Sequence, residues 1–313
     1  MKVTIHPELR GVARVLPRSF VGPGFVRATR TLLRWRGVPA LPRVDVVVVV
    51  DLRVPVGAGE LRVRLYRPAT ATTTPVPVLV WLHGGGYVIG FPEQDEASNL
   101  ALVVEHGIAV AAVDYRLAPE HPAPAALEDA LATLRVLRER AATLGLDASR
   151  IVVGGQSAGG GLAAATALAA RDEGIALRGQ VLLYPMLDDR TITRSDVDVG
   201  PHRVWSVPSN TFAWRAYVGE RAGGDGVDVR AVPARCRDVG GLPPTWIGVG
   251  TADLFHDEDV AFAARLREAG VPCAVEVVDG GFHAFDVVAP RAAVSRAFRA
   301  AWTRALSDML AAR

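Results

Sequence analysis

Short, dense apolar runs alternate along this chain with longer stretches whose apolar residues recur every three or four positions. The runs are Val44–Val50, Val78–Leu82, Ala109–Val113, Ile151–Val153, Val181–Tyr184, Thr245–Val249 and Ala274–Val278. Leu61–Tyr66 alternates, with Leu61, Val63 and Leu65 on one face. Both patterns predict strands, half-buried where they alternate and buried on both faces where they are continuous. The longer stretches are Glu96–Glu105, Pro124–Leu144, Ala158–Glu173, Asp257–Ala269 and Ala292–Ala311. Their spacing predicts amphipathic helices. Strands and helices taken by turns predict the α/β class, a mostly parallel eight-stranded sheet with helices on both faces. Antiparallel pairing is expected among the first two strands.

Two segments break the alternation. The opening forty-odd residues are interrupted by Arg, Pro and Gly and scatter Leu16, Phe20, Phe25, Leu32, Leu33 and Trp35, which predicts short helices and turns. Residues 191–235 set Trp205, Phe212, Trp214 and Tyr217 among Gly, Asp and Arg and predict an insertion above the sheet, joined in space by the opening segment. The Thr- and Pro-rich residues 70–77 predict an exposed turn.

Composition narrows the chemistry. Of the 35 basic residues only Lys2 is a lysine, and 33 acids leave a net charge of +2. So small a charge selects neither nucleic acid nor an acidic membrane as partner. With no internal lysine there is no Schiff-base residue for pyridoxal phosphate, no P-loop and no Ser-x-x-Lys site. Cys236 and Cys273 match no zinc spacing, and no His-Glu-x-x-His occurs, so no metal is expected. The longest apolar runs fall short of the ~18 residues a membrane span needs, and the start lacks the apolar core of a signal peptide. A cytoplasmic chain without stable membrane association is the expectation.

The run Ile151–Val153 leads into Gly154-Gly155-Gln156-Ser157-Ala158-Gly159-Gly160-Gly161 and then a helix. This is Gly-x-Ser-x-Gly in its strand–turn–helix setting, which lifts a nucleophilic serine above the sheet edge. The turn is tight enough that Gly155 and Gly159 must lack a Cβ. Ser157 then faces a helix N-terminus, whose partial positive charge favours a developing anion. The plainer alternative is a glycine turn with an N-capping serine. The run Val78–Leu82 delivers His83-Gly84-Gly85-Gly86-Tyr87. Backbone N–H groups of Gly85 and Gly86, with Gly84 shaping the loop, and of Ala158 are the candidate donors to an oxyanion. His83 reads as a loop brace rather than a base.

A nucleophilic serine needs a base, and the base an orienting carboxylate, in the chain order Ser, acid, His. Of seven histidines, His283 follows the last short strand, in a loop at a strand's carboxyl end, where ligands meet open α/β sheets. Asp253 follows Thr245–Val249 in the same manner. His256 reads as a surface residue and Asp257 as a carboxylate facing a helix N-terminus.

Together with Asp114-Tyr115-Arg116-Leu117-Ala118-Pro119-Glu120 and Asp253-Leu254-Phe255-His256-Asp257-Glu258, these motifs resemble the hormone-sensitive-lipase-like (bacterial type IV) carboxylesterases of the α/β-hydrolase fold. The resemblance runs from about Val44 to the C-terminus. The run from Gly154, with Gln before the serine, is similar to the bacterial heroin esterase branch. The resemblance implies a Ser157–His283–Asp253 triad, the oxyanion donors above, no cofactor, and short- to medium-chain acyl esters as small-molecule substrates. It further implies a helical cap formed by residues 1–42 and about 191–235 over a catalytic domain of residues 43–313, and a homodimer paired through the sheet edge. Tyr87, Trp205, Phe212 and Trp214 are candidate pocket walls, each with the plainer alternative of packing the cap. Arg116 and Glu120 read as a structural ion pair or a turn brace. Three positions depart from the family pattern: Gln156 for an acid, Leu254 for proline and Ala284 for glycine. The first bears on pocket polarity or elbow support, the last on the histidine loop, since alanine disfavours positive φ.

Amide or lactone hydrolysis and acyl transfer share the first half-reaction and stay open. So does a ligand-binding receptor without catalysis, of the kind that plant gibberellin receptors represent, although those lack the histidine.

Overall fold

The computed structural model describes residues 3–17, 21–36, 44–69 and 74–311, with the side chains of residues 33–36 excepted. Eight strands form one sheet: β1 (Val47–Val56), β2 (Gly59–Pro68), β3 (Val76–Leu82), β4 (Ala109–Val113), β5 (Leu146–Gln156), β6 (Gly179–Leu183), β7 (Thr245–Gly250) and β8 (Cys273–Val278). Their order across the sheet is β1-β2-β4-β3-β5-β6-β7-β8. The first two strands pair antiparallel, as does β2 with β4, and every later pairing is parallel.

Period-two alternation splits the core into two layers. Along β3, Val78, Val80 and Leu82 join the cluster that holds Leu127, Leu131 and Leu134 of α4 (Ala125–Glu139) and Leu162 and Leu168 of α6 (Ala158–Asp172). Leu79 and Trp81 face the other cluster, with Leu102 of α3 (Glu96–His106) and Phe298, Trp302 and Leu306 of the helix Ala293–Ala311. The long helix predicted over Pro124–Leu144 is two: α4 ends at Glu139, and α5 (Ala141–Leu144) closes on Gly145 at φ +69°. A left-handed glycine at that position ends a helix.

The chain passes from β3 to β4 toward one sheet edge and from β5 through β8 toward the other. A crevice therefore opens between the carboxyl ends of β3 and β5, the place where ligands meet such sheets. Leu82 and Gly155 are paired there.

Between β6 and β7 the chain carries α7 (Val207–Val218), which Pro208 opens in its first turn, where proline's missing N–H costs nothing. The opening segment forms α1 (Arg10–Val15) and α2 (Pro23–Arg36). It meets the β6–β7 excursion through Val21 N–H to Ser209 Oγ (3.2 Å) and Arg203 Nε–H to the Ala13 carbonyl (2.7 Å). Arg30 of α2 donates to the carbonyls of Val88 (2.9 Å) and Ala118 (2.6 Å) and pairs with Glu120. No helix among the described residues is long and apolar enough to cross a membrane.

Candidate active site

Ser157 sits between β5 and α6 at φ +56°, ψ −121°. So strained a backbone in a non-glycine residue persists only when its surroundings over-determine it. Here they do. The Ser157 N–H donates to the Leu183 carbonyl (2.8 Å), and its own carbonyl accepts from Gly161 (3.0 Å) and Met186 (2.9 Å). A Cβ on Gly155 would meet the Gly159 carbonyl carbon at 2.5 Å, and one on Gly159 the Leu82 carbonyl oxygen at 2.0 Å, so the elbow admits only glycine at both positions. The Ser157 hydroxyl caps nothing in α6, which removes the N-cap alternative. It lies 2.9 Å from His283 Nε2 instead.

His283 Nδ1 is 2.8 Å from Asp253 Oδ2, and Asp253 Oδ1 accepts the Phe255 N–H at 3.0 Å. With a carboxylate on Nδ1, the proton sits there and Nε2 is the acceptor for the serine proton. The two loops that bring this pair together are tied by Ala252 N–H to the Gly281 carbonyl (3.0 Å). Phe282 and Phe285, both fully buried, anchor the histidine loop on either side. The imidazole is 4 % exposed and stands edge-on to Phe255 (5.2 Å) and Tyr184 (5.0 Å). Ala284 takes φ +57°, so the histidine loop adopts the left-handed turn despite its Cβ.

The glycine loop crosses directly over the serine: an ideal Cβ on Gly84 would lie 3.5 Å from that of Ser157. Gly85 (φ +126°) and Gly86 (φ +62°) hold the turn. The N–H groups of Gly85, Gly86 and Ala158 have no backbone acceptor among the described residues. His83 braces this loop: its Nδ1 lies 2.9 Å from the Gly84 carbonyl, its ring stacks on Tyr115 at 4.1 Å, and Tyr115 Oη donates to its carbonyl (2.7 Å). Burial lowers its pKa to about 4, so near neutral pH the ring is uncharged and Nδ1–H donates to the Gly84 carbonyl.

A cavity of about 210 Å³ opens over Ser157 and His283, walled by Gly84, Gly85, Ile89, Val204 and Trp205. Trp205 packs on the oxyanion loop so closely that a Cβ on Gly86 would meet its ring at 2.4 Å. The other aromatic candidates stand elsewhere. Tyr87 and Trp214 are buried outside the cavity lining, with Tyr87 stacked on Tyr217 at 3.9 Å and Trp214 behind it at 5.7 Å, where they join α7 to the oxyanion loop. Phe212 packs against the core and also falls outside the lining. Phe20 and the side chain of Trp35 lie outside the described residues.

His256 pairs on the surface with Asp257, which also meets Arg194 at 2.8 Å. Arg116 chelates Asp129 from its backbone N–H (2.7 Å) and its Nε (2.9 Å). It and Glu120 therefore brace with different partners.

Sequence reasoning missed a bonded group beside the elbow. Gln156 Nε2 donates to Asp95 Oδ1 (2.8 Å), and Trp81 Nε1 donates to Asp95 Oδ2 (2.8 Å). Tyr184 Oη lies 3.2 Å from Gln156 Oε1 and 3.0 Å from Asp286 Oδ1. Burial raises the pKa of Asp95 and of Asp286 to about 6. The departure at Gln156 was the one signal of this group: the amide beside the serine is held by the carboxyl of Asp95, which ends the short helix before α3. Glu258 was missed as well. It accepts from the N–H groups of Leu187 (2.8 Å) and Asp188 (3.1 Å) and from the Thr191 hydroxyl, fixing the start of the β6–β7 excursion. Burial holds its carboxyl well above the usual range.

Residues 79–287 match a family model described as alpha/beta hydrolase fold. The chain is 34% identical over 282 residues to esterase LipI of Mycobacterium tuberculosis, covering 88% of this chain and 85% of that one. It is 36% identical over 228 residues to ethyl acetate hydrolase of Pseudomonas putida, covering 72% and 71%. Among solved structures it is similar to bacterial heroin esterase, with a TM-score of 0.88 and 37% identity over 99% of both chains.

Proposed function

This chain belongs to the hormone-sensitive-lipase-like esterases of the α/β-hydrolase family, and from that premise we propose that it hydrolyses short- to medium-chain carboxylic esters through an acyl-enzyme on Ser157. The observation that carries this reading is the continuous linkage from Ser157 Oγ through His283 to Asp253, at 2.9 and 2.8 Å.

His283 Nε2 takes the Ser157 proton as Oγ attacks the ester carbonyl. Charge builds on the former carbonyl oxygen and meets the N–H groups of Gly85, Gly86 and Ala158. Removing one such donor typically costs about a hundredfold or more in turnover. Asp253 keeps the imidazole in its reactive tautomer and stabilises the imidazolium. His283 then gives its proton to the leaving alcohol, and a water activated by the same nitrogen releases the acid. The cavity of about 210 Å³ suits a small acyl or alcohol limb.

Ser157→Ala is the direct test. The purified variant should lose p-nitrophenyl acetate turnover and labelling by a fluorophosphonate probe; wild-type turnover in that variant would overturn the reading. Labelling of the wild type also separates an enzyme from a receptor, which has no activated serine to label.

A further inference from the structure

A second chamber of about 310 Å³ adjoins the catalytic cavity. Its walls include Trp81, Leu183 and Trp302, the two indoles stacked at 6.0 Å, with Ser98 of α3 at its side. The two spaces have only Gln94, Gln156 and Val287 in common. Val287 is 54 % exposed and Gln94 is exposed as well, so both belong to the outer rim, which leaves Gln156 as the buried partition. It is 9 % exposed, and its amide is tied at both ends, to Asp95 and to Tyr184. Gln94 makes one longer contact, 3.4 Å to the Gly84 carbonyl.

We propose that Gln156 is a specificity-determining residue, whose doubly anchored amide closes the second chamber and thereby limits the size of the ester limb that fits beside Ser157. This rests on the reading of Ser157 as nucleophile. A side chain free to rotate would yield to a longer substrate. One fixed by hydrogen bonds at both ends must break both, in a buried setting where each lost bond is costly. The chamber behind is mixed: Asp95, Asp286, Arg296 and Arg299 line one part of it, and Trp81, Leu183 and Trp302 give it an apolar wall, so a limb lying against that wall would gain the transfer energy of its methylenes. At about 0.8 kcal/mol for each, that is roughly fourfold in kcat/KM per methylene.

The test uses p-nitrophenyl esters graded from acetate to octanoate and a matched acetate series graded in its alcohol. In Gln156→Ala, the ratio of kcat/KM for the longest member to that for the shortest should rise at least about tenfold in one of the series, the equivalent of two or more buried methylenes. Gln156→Ser removes the amide while keeping a small polar group at the elbow, and serves where Gln156→Ala does not fold. Filling the chamber with Ser98→Phe should cancel the rise in the Gln156→Ala background and leave the wild-type ratio unchanged. A folded partition variant with the wild-type size profile overturns the proposal, and so does a rise that survives Ser98→Phe. Because the readout is a ratio between substrates, a general loss of activity does not mimic it. A failure of the serine reading shows separately, as turnover of p-nitrophenyl acetate by Ser157→Ala.

Discussion

A methyl group added to Gly159 tests the elbow more sharply than removal of any catalytic atom. The Cβ of Gly159→Ala would stand 2.0 Å from the Leu82 carbonyl oxygen and 2.4 Å from that of His83. Ordinary contact begins near 3.4 Å, so the backbone must give by about 1.4 Å. The atoms in the way are the end of β3 and the root of the oxyanion loop, and they have no rotamer to change. Overpacking of this kind typically costs about 1–3 kcal/mol of stability. The functional loss should be larger. A displacement of about 1 Å at a reacting group costs on the order of a hundredfold, and here it moves the donors of Gly85 and Gly86 away from the serine. The assay pairs chemical denaturation with kcat on p-nitrophenyl acetate. Gly24→Ala is the control: that glycine lies in α2 with nothing within 4 Å of an added Cβ, so the change should be neutral or stabilise by roughly 0.5–1 kcal/mol. Wild-type stability and turnover in Gly159→Ala would refute the reasoning that Leu82 and Gly159 fix the loop against the elbow.

Three further outcomes are expected. Asp253→Asn should keep the fold and lower kcat by about ten-thousandfold, because the amide favours the wrong imidazole tautomer; steady-state kinetics with a fluorophosphonate titration of active sites measures it. Burial raises Asp286 from 3.8 to about 6, so between those values the folded chain holds a proton that the unfolded chain has lost. That contribution to stability is complete below pH ~4 and is lost as pH rises through about 6; Asp286→Asn should therefore gain in Tm relative to wild type between pH 4 and 7, and a constant difference would contradict the buried neutral carboxyl. Ala284→Gly should relieve a left-handed cost of roughly 1–2 kcal/mol against an unfolded-state entropy of about 0.4–1 kcal/mol, giving unchanged or slightly raised stability by denaturant titration.

The strands were legible because five of the eight, β3 to β7, lie inside the sheet and read as apolar runs, yet their ends were not. β5 begins at Leu146, five residues before the apolar run at Ile151. The residues between are polar and satisfy one another locally, as Ser149 N–H does with Asp147 Oδ1 at 2.9 Å. The ladder bulges over them, with Leu146 opposite Val76 and Ile151 opposite Val78, so the strand extends past the point where the hydrophobic signal stops. Ser157, His283 and Asp253 were legible because each follows a strand end in a distinct local motif. Asp95 and Asp286 carry no such mark. They meet Gln156 and Tyr184 only through the tertiary fold, and no spacing along the chain announces it. The aromatic residues show the same limit. Trp205 reaches the cavity whereas Tyr87 and Trp214 are packed behind it, and the identity of a large ring does not say which of its neighbours will cover it.

The bond from Val21 to Ser209 spans 188 residues of chain. At about 5–20 residues per second of synthesis, the opening segment waits on the order of ten to forty seconds for that partner to be made. His6, which donates to the Gly280 carbonyl at 3.0 Å, waits longer still. Over that interval α2 gains its partners at Val88, Ala118 and Glu120 early, whereas α1 waits for Arg203, which donates to the Ala13 carbonyl. The wall over Ser157 is thus among the last parts of the molecule to be completed, although Val21 emerges 188 residues before Ser209.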